Sequence, residues 1–261
     1  MNMTMISIDS VSLQLDPAAQ PVLNNIQWTI SSQERWILFG RNGCGKTKLL
    51  EVITGYRRPT SGSVTRFGYP QSGHDIREIR KRIGYLSSPL LEKIHPRETA
   101  RDIVTSGFYA TAGLYDTPLK EHVAYADYLL HKAALYHRRD DIFSHFSDGE
   151  KQKLLLARAM TGKPDLVILD EPCSGLDIVA REELLHTLSS FFDESSAALI
   201  YVTHHVEEIT PLFSHVFMLS QGNPFFCGLV EEGITTGQMS ALFGLGVTIY
   251  TSKNRYHTIL S

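Results

Sequence analysis

Apolar and polar positions alternate along the first thirty residues. Ile6 and Ile8 share one parity, while Val11, Leu13 and Leu15 take the other, so the pattern predicts a strand with a bulge near Ser10. After a turn at Asp16-Pro17-Ala18-Ala19-Gln20-Pro21, Ile26, Trp28 and Ile30 mark a second strand of the same antiparallel sheet. Unbroken apolar runs then appear at Trp36-Ile37-Leu38-Phe39, Ile83-Gly84-Tyr85-Leu86, Leu166-Val167-Ile168-Leu169 and Ala198-Leu199-Ile200-Tyr201-Val202. Such runs suit parallel strands covered on both faces.

Helical spacing separates these runs. Leu49-Leu50-Glu51-Val52-Ile53 predicts a helix ended by Gly55, and Leu184, Leu185, Leu188, Phe191 and Phe192 an amphipathic one. Asp75 to Lys81 reads as a polar helix with a solvated face, after a turn at Pro59–Ser63 and a short strand at Val64–Phe67. From about 89 to 145 the chain becomes helical, with Leu119, Val123, Ala126 and Leu130 as one stripe. Phe108, Tyr109, Tyr115, Tyr125, Tyr128 and Tyr136 fall there; they read chiefly as core, and secondarily as a docking surface. The tail from Gly222 is mixed, and Thr248–Thr251 with Tyr256–Ile259 predicts a closing hairpin. Strand–helix–strand alternation gives an α/β sheet wound by right-handed crossovers.

Composition adds exclusions. The 261 residues are 43% hydrophobic and 20% charged, an ordinary globular balance. A net charge of −3 argues against broad non-specific nucleic-acid binding. Cys44, Cys173 and Cys227 show no pairing or metal spacing, which favours a reducing compartment, and nothing signals a covalent cofactor. No signal peptide and no run of 18 apolar residues is found, so a membrane role would need a spanning segment from another chain.

The chemistry centres on Gly40-Arg41-Asn42-Gly43-Cys44-Gly45-Lys46-Thr47, a match to G-x-x-x-x-G-K-[ST] between an apolar strand and a helix. Glycines let successive N–H groups face phosphate oxygens, Lys46 would reach the β- and γ-phosphates, and the Thr47 hydroxyl would ligate Mg²⁺. At 124 residues beyond Lys46, Leu166–Leu169 runs into Asp170-Glu171. Asp170 suits the metal and Glu171 an attacking water, a division fitted to phosphoryl transfer from a nucleoside triphosphate to water.

Phe146-Ser147-Asp148-Gly149-Glu150, 23 residues before Asp170 when counted from Ser147, opens a helix over Lys151–Met160. Alone it would be a serine cap. It is similar, however, to the Leu-Ser-Gly-Gly-Gln signature of ATP-binding cassette (ABC) ATPases. Ser174-Gly175-Leu176-Asp177 resembles that family's D-loop, and Tyr201-Val202-Thr203-His204 its switch strand. The likeness runs from about Ile6 to Val230, with five motifs in family order.

The resemblance implies a P-loop NTPase with a RecA-like parallel core, an antiparallel β subdomain and an inserted α-helical subdomain at about 89–160. It places the ABC ATPase domain at 1–230, with 231–261 as a C-terminal extension. Ser147, Gly149 and Glu150 would close on ATP held by a second copy or a similar subunit, the D-loop would reach across that dimer, and His204 would face the γ-phosphate. His205 is expected to be the core histidine of the pair.

Three positions depart from the family pattern. Ser88 stands where a glutamine is usual, Leu15 where an aromatic stacks on adenine, and Lys48 where a second hydroxyl follows the lysine. Lys48 would face the α-phosphate or solvent. The serine-for-glutamine strand, Thr105–Tyr109 with Gly113-Leu114-Tyr115, and Asp170–Asp177 together resemble the solitary cassettes of the molybdenum-transport and photorepair type.

The leading expectation is the ATPase subunit of an ABC transporter, cytoplasmic and peripheral on the inner membrane face, docking a transmembrane permease through residues near 86–115. The alternative is a non-transport ABC ATPase acting on DNA or the ribosome, which the acidic charge and single cassette disfavour. A nucleotide sensor without hydrolysis ranks last, because Glu171, His204 and Ser147 are all present.

Overall fold

The computed structural model describes residues 3–260 except 17, 71, 112, 116 and 194; the Ser88 side chain also lies outside the described part. In chain order the elements begin β1 (Thr4–Leu13), β2 (Leu23–Ser31), β3 (Arg35–Phe39), α1 (Lys46–Ile53), β4 (Ser61–Arg66), α2 (Ile76–Lys81), β5 (Ile83–Ser87) and α3 (Ser88–Leu91). Next come α4 (Ala100–Ser106), α5 (Lys120–Lys132), α6 (Asp148–Ala159), β6 (Leu166–Asp170), α7 (Ile178–Phe192) and β7 (Ala198–Thr203). The last are β8 (His215–Ser220), β9 (Asn223–Leu229), α8 (Val230–Gly233), α9 (Thr236–Phe243), β10 (Val247–Ser252) and β11 (Arg255–Leu260). They form two units, residues 1–80 with 198–261, and residues 81–197.

In the first unit β1 pairs antiparallel with β2 and β4. The register shifts between Ile8 and Val11, where Ser10 adopts φ 52°. That bulge absorbs the parity change, so Ile6, Ile8, Val11 and Leu13 are all buried, whereas Leu15 lies beyond the strand and is exposed. Of the turn that follows, Pro17 lies outside the described residues; Asp16 Oδ1 accepts from the Ala18 N–H at 2.8 Å.

A second sheet of this unit runs β7-β3-β8-β9, with β3 parallel to both neighbours and β9 antiparallel to β8. All six residues of β7 are buried, as its apolar run demands. β9 carries no such run: Pro224 and Gly228 suit it to its place at the end of the sheet. β10 and β11 form a hairpin whose two-residue turn, Lys253-Asn254, has φ 50° and 58°.

The second unit packs α4, α5, α6 and α7 beside the parallel pair β5-β6, which runs from Ile83↔Leu166 to Ser87↔Asp170. In its core Ile103, Val104, Leu129, Leu130, Leu154 and Leu188 are each at most 2% exposed, joined by the buried Phe143, Phe146, Phe191 and Phe192. Two expectations are corrected here. Leu119 does not join the α5 stripe; it precedes the helix and is 54% exposed, and Leu129 fills the core instead. None of the six aromatics is buried, and Tyr115 is 81% exposed. Two of them stack at the periphery on histidines, Phe108 on His122 at 4.0 Å and Tyr136 on His131 at 3.7 Å, while Tyr125 and Tyr128 lie against each other at 5.7 Å.

Candidate nucleotide site

In the first unit the loop after β3 carries the phosphate-binding motif. Gly43 and Gly45 have φ 78° and 110°, conformations closed to most side chains, and α1 starts at Lys46 itself. Lys46 is buried, and its Nζ donates to the carbonyls of Gly40 at 2.8 Å and Arg41 at 3.3 Å. Arg41, Asn42, Gly43 and Thr47 are exposed, while Cys44 is a buried packing residue. A cradle of N–H groups ahead of a helix N-terminus, with a lysine folded along it, suits a polyphosphate.

The loop is held by a residue that the motif did not point to. The Gly222 N–H donates to the Cys44 carbonyl at 2.9 Å, and the Gly222 carbonyl accepts from the Asn24 N–H at 2.8 Å. A Cβ on Gly222 would lie 2.3 Å from the Val22 carbonyl oxygen, so only glycine fits. The available signal was the turn-forming Gln221-Gly222 between apolar segments.

Lys48 turns away from the loop and pairs with Glu51 at 2.6 Å. Arg57 donates to the same carboxylate at 2.7 Å. Burial alone would raise the Glu51 carboxyl, but the hydrogen bonds from Arg57 and Lys48 outweigh it and hold the group below its ordinary value. His204 follows the end of β7 and is half-buried, its ring 4.1 Å from that of His205. His205 is exposed, not a core residue. The strand has ended at Thr203, whose Oγ1 accepts from the His205 N–H at 3.0 Å and turns the chain outward.

The second unit holds the remaining residues. β6 delivers Asp170 at its last position, and Glu171 follows with φ 49°, starting a turn closed by the Ser174 N–H on the Glu171 carbonyl at 3.1 Å. Ser174 and Gly175 are exposed, Leu176 is half-buried, and Asp177 caps α7 by accepting from the Ala180 N–H at 2.8 Å. α6 begins at Asp148, three residues before the expected Lys151, because Ser147 and Glu150 form a reciprocal capping box. Arg138 Nη1 donates to Glu150 Oε1 at 2.6 Å. Gly149 lets the two helix starts meet: a Cβ there would be 2.8 Å from Ala180 Cβ. The signature-like segment and the D-loop-like segment are thus neighbours.

Residues 23–174 match the family model described as ABC transporter. The chain belongs to the ABC transporter family. An ABC transporter ATP-binding protein of Bacillus subtilis, YlmA, is 38% identical over 252 residues, covering 96% of this chain and 95% of the relative. ModF of Escherichia coli, another ABC transporter ATP-binding protein, is 32% identical over 75% of this chain and 41% of its own length. A dimeric ATP-binding cassette in a post-hydrolysis state, bound to ADP and Pi, shares the fold with a TM-score of 0.73 at 21% identity, covering 87% of this chain and 99% of that one. This ABC cassette binds nucleotide, hydrolyses ATP and is the ATP-binding subunit of an ABC transporter. Among the described residues no helix is long and apolar enough to cross a membrane.

Proposed function

We propose that this subunit pairs with a second copy or a similar cassette around ATP and Mg²⁺, and that the pair drives a separate transmembrane permease from the cytoplasmic face of the membrane. The observation that carries the reading is the start of α6. Ser147 is exposed there, the helix N-terminus is capped, and the exposed D-loop segment lies alongside through Gly149 and Ala180. A helix N-terminus presented in this way suits the phosphates of a nucleotide held by another copy.

Within one site Lys46 and the N–H groups of 40–47 would hold the phosphates. Thr47 and Asp170 would hold Mg²⁺, whose charge offsets that of the β- and γ-phosphate oxygens; a hydroxyl and a carboxylate are the hard oxygen donors such an ion takes. Glu171 would accept the proton of the attacking water, and His204 would orient the γ-phosphate. The D-loop residues Ser174–Asp177 would contact the partner cassette.

The test uses tagged Glu171→Gln, purified from gently solubilised cells with ATP and Mg²⁺. The expected outcome is an ATP-dependent dimer by light scattering, with a polytopic membrane protein in near-stoichiometric amount. A monomer at saturating ATP overturns the pairing, and ribosomal or DNA-associated material in place of a membrane protein overturns the transport role. Loss of ATP binding in Lys46→Ala checks the phosphate loop separately.

A further inference from the structure

A cavity of about 220 Å³ lies at the other end of the phosphate-loop helix, within the first unit. Arg57, Arg58 and Arg66 line it, with Ser72 and Ile76. No carboxylate lines it among the described residues. A fourth guanidinium, that of Arg80, stands nearby: it lies 3.8 Å from the Tyr56 ring centroid and donates to the carbonyls of Thr54 and Gly55.

Part of this positive charge has a structural partner. Arg66 donates through Nε to the Ile53 carbonyl at 2.6 Å, and Arg80 through Nη2 to the Gly55 carbonyl at 2.7 Å, so both serve the C-terminal end of α1. That does not account for the rest. Glu51 is one carboxylate shared between Arg57 and Lys48, and Arg58 is exposed, with no hydrogen bond or ion pair among the described residues. Arg66 is 2% exposed. Burial, and after it the charge of Arg80, pushes its guanidinium down to about 10. Helix carbonyls carry only partial charge, so the cluster stays positive around a space large enough for one small ion and its water.

We propose that this arginine-lined cavity binds a tetrahedral oxyanion of the phosphate class at a site separate from the nucleotide loop. Arg58 supplies an exposed fork that matches two oxygens of such an ion, and Arg57 and Ser72 offer further donors. An occupant here would relieve the repulsion among the guanidiniums at the end of the helix that begins with Lys46 and Thr47.

The phosphate loop can itself take phosphate, so the experiment silences it in two ways. Equilibrium dialysis with radiolabelled inorganic phosphate, at constant ionic strength, is run on the full-length wild type saturated with ADP and on Lys46→Ala. The expected result is a single bound phosphate in both, an affinity about tenfold weaker in Arg58→Ala, and partial recovery in Arg58→Lys. Arg58→Ala is also expected to keep the wild-type ATPase rate, which a damaged nucleotide site would not. Glycerol 3-phosphate binding more tightly than the free ion would support the site and assign it to a phosphate ester. No binding once the loop is silenced, or equal binding in Arg58→Ala, overturns the proposal. Because the readout is taken with the phosphate loop either occupied or disabled, its failure would leave the transport reading untouched.

Discussion

Lys48 Nζ lies 2.6 Å from Glu51 Oε1, the two residues one helical turn apart on α1. The family pattern puts a hydroxyl at this position, and a lysine there could be mistaken for an added phosphate contact. Its cation is instead committed to a carboxylate that also holds Arg57. Both side chains are partly exposed, so the pair stabilises by under about 1 kcal/mol. Lys48→Ala is therefore expected to change the KM for ATP by less than about threefold and the stability by no more than about 1 kcal/mol. A larger rise in KM in steady-state kinetics would return Lys48 to the phosphates.

Glu171→Gln should separate chemistry from binding. Glu171 has a left-handed φ of 49° at the start of a backbone-closed turn, and glutamine keeps its length and shape. Folding should hold, with thermal stability within about 0.5 kcal/mol of wild type. Loss of a general base removes about 10²–10⁴ of rate, so kcat should fall by at least a hundredfold while ATP binding persists. Hydrolysis at the wild-type rate would show that another group takes the proton.

Much of this layout was legible because the signals were local. The β1 bulge followed from a parity change between Ile8 and Val11, and the phosphate loop from three glycines and a lysine between a strand and a helix. What escaped depended on distant partners. Gly222 supports the loop across 178 residues of chain, from Cys44, and nothing in its immediate neighbours marks that contact. The aromatics around α5 looked like core by composition, yet Ile103, Val104, Leu154 and Phe191 occupy it, leaving Phe108 and Tyr136 to stack on the α5 histidines His122 and His131. His205 failed because the apolar run ends at Val202, and the outward turn that exposes it rests on the Thr203 hydroxyl accepting from the His205 N–H.

The capping box at α6 gives a pH-dependent contribution to stability. Burial alone would raise the Glu150 carboxyl, but hydrogen bonds from Arg138 and Ser147 outweigh it and hold the group below its ordinary value. A carboxylate depressed in the folded state contributes fully above its unfolded value of about 4.3, and that contribution is lost as pH falls through the folded value. Thermal melts of wild type and Glu150→Ala should differ by about 1 kcal/mol near neutrality and converge in acid. A gap that widens on acidification would mean that Glu150 is not held as a carboxylate.

Two glycine substitutions should fail in different ways. A Cβ on Gly84 would sit 2.2 Å from the Ala159 carbonyl oxygen and 3.1 Å from Pro164 Cγ, against backbone that cannot yield without moving the end of α6 away from β5. Overpacking of this kind costs about 1–3 kcal/mol or more, so Gly84→Ala should lower the melting temperature by at least about 3 °C. Gly43 meets nothing within 4 Å, but its φ of +78° strains any other residue. Gly43→Ala should therefore cost about 1 kcal/mol in stability and weaken ATP binding through a displaced loop. Measuring melting temperature and nucleotide affinity on both variants separates the roles. If Gly84→Ala melts with wild type, the β5–α6 contact is wrong; if Gly43→Ala binds ATP normally, the left-handed turn is not what shapes the cradle.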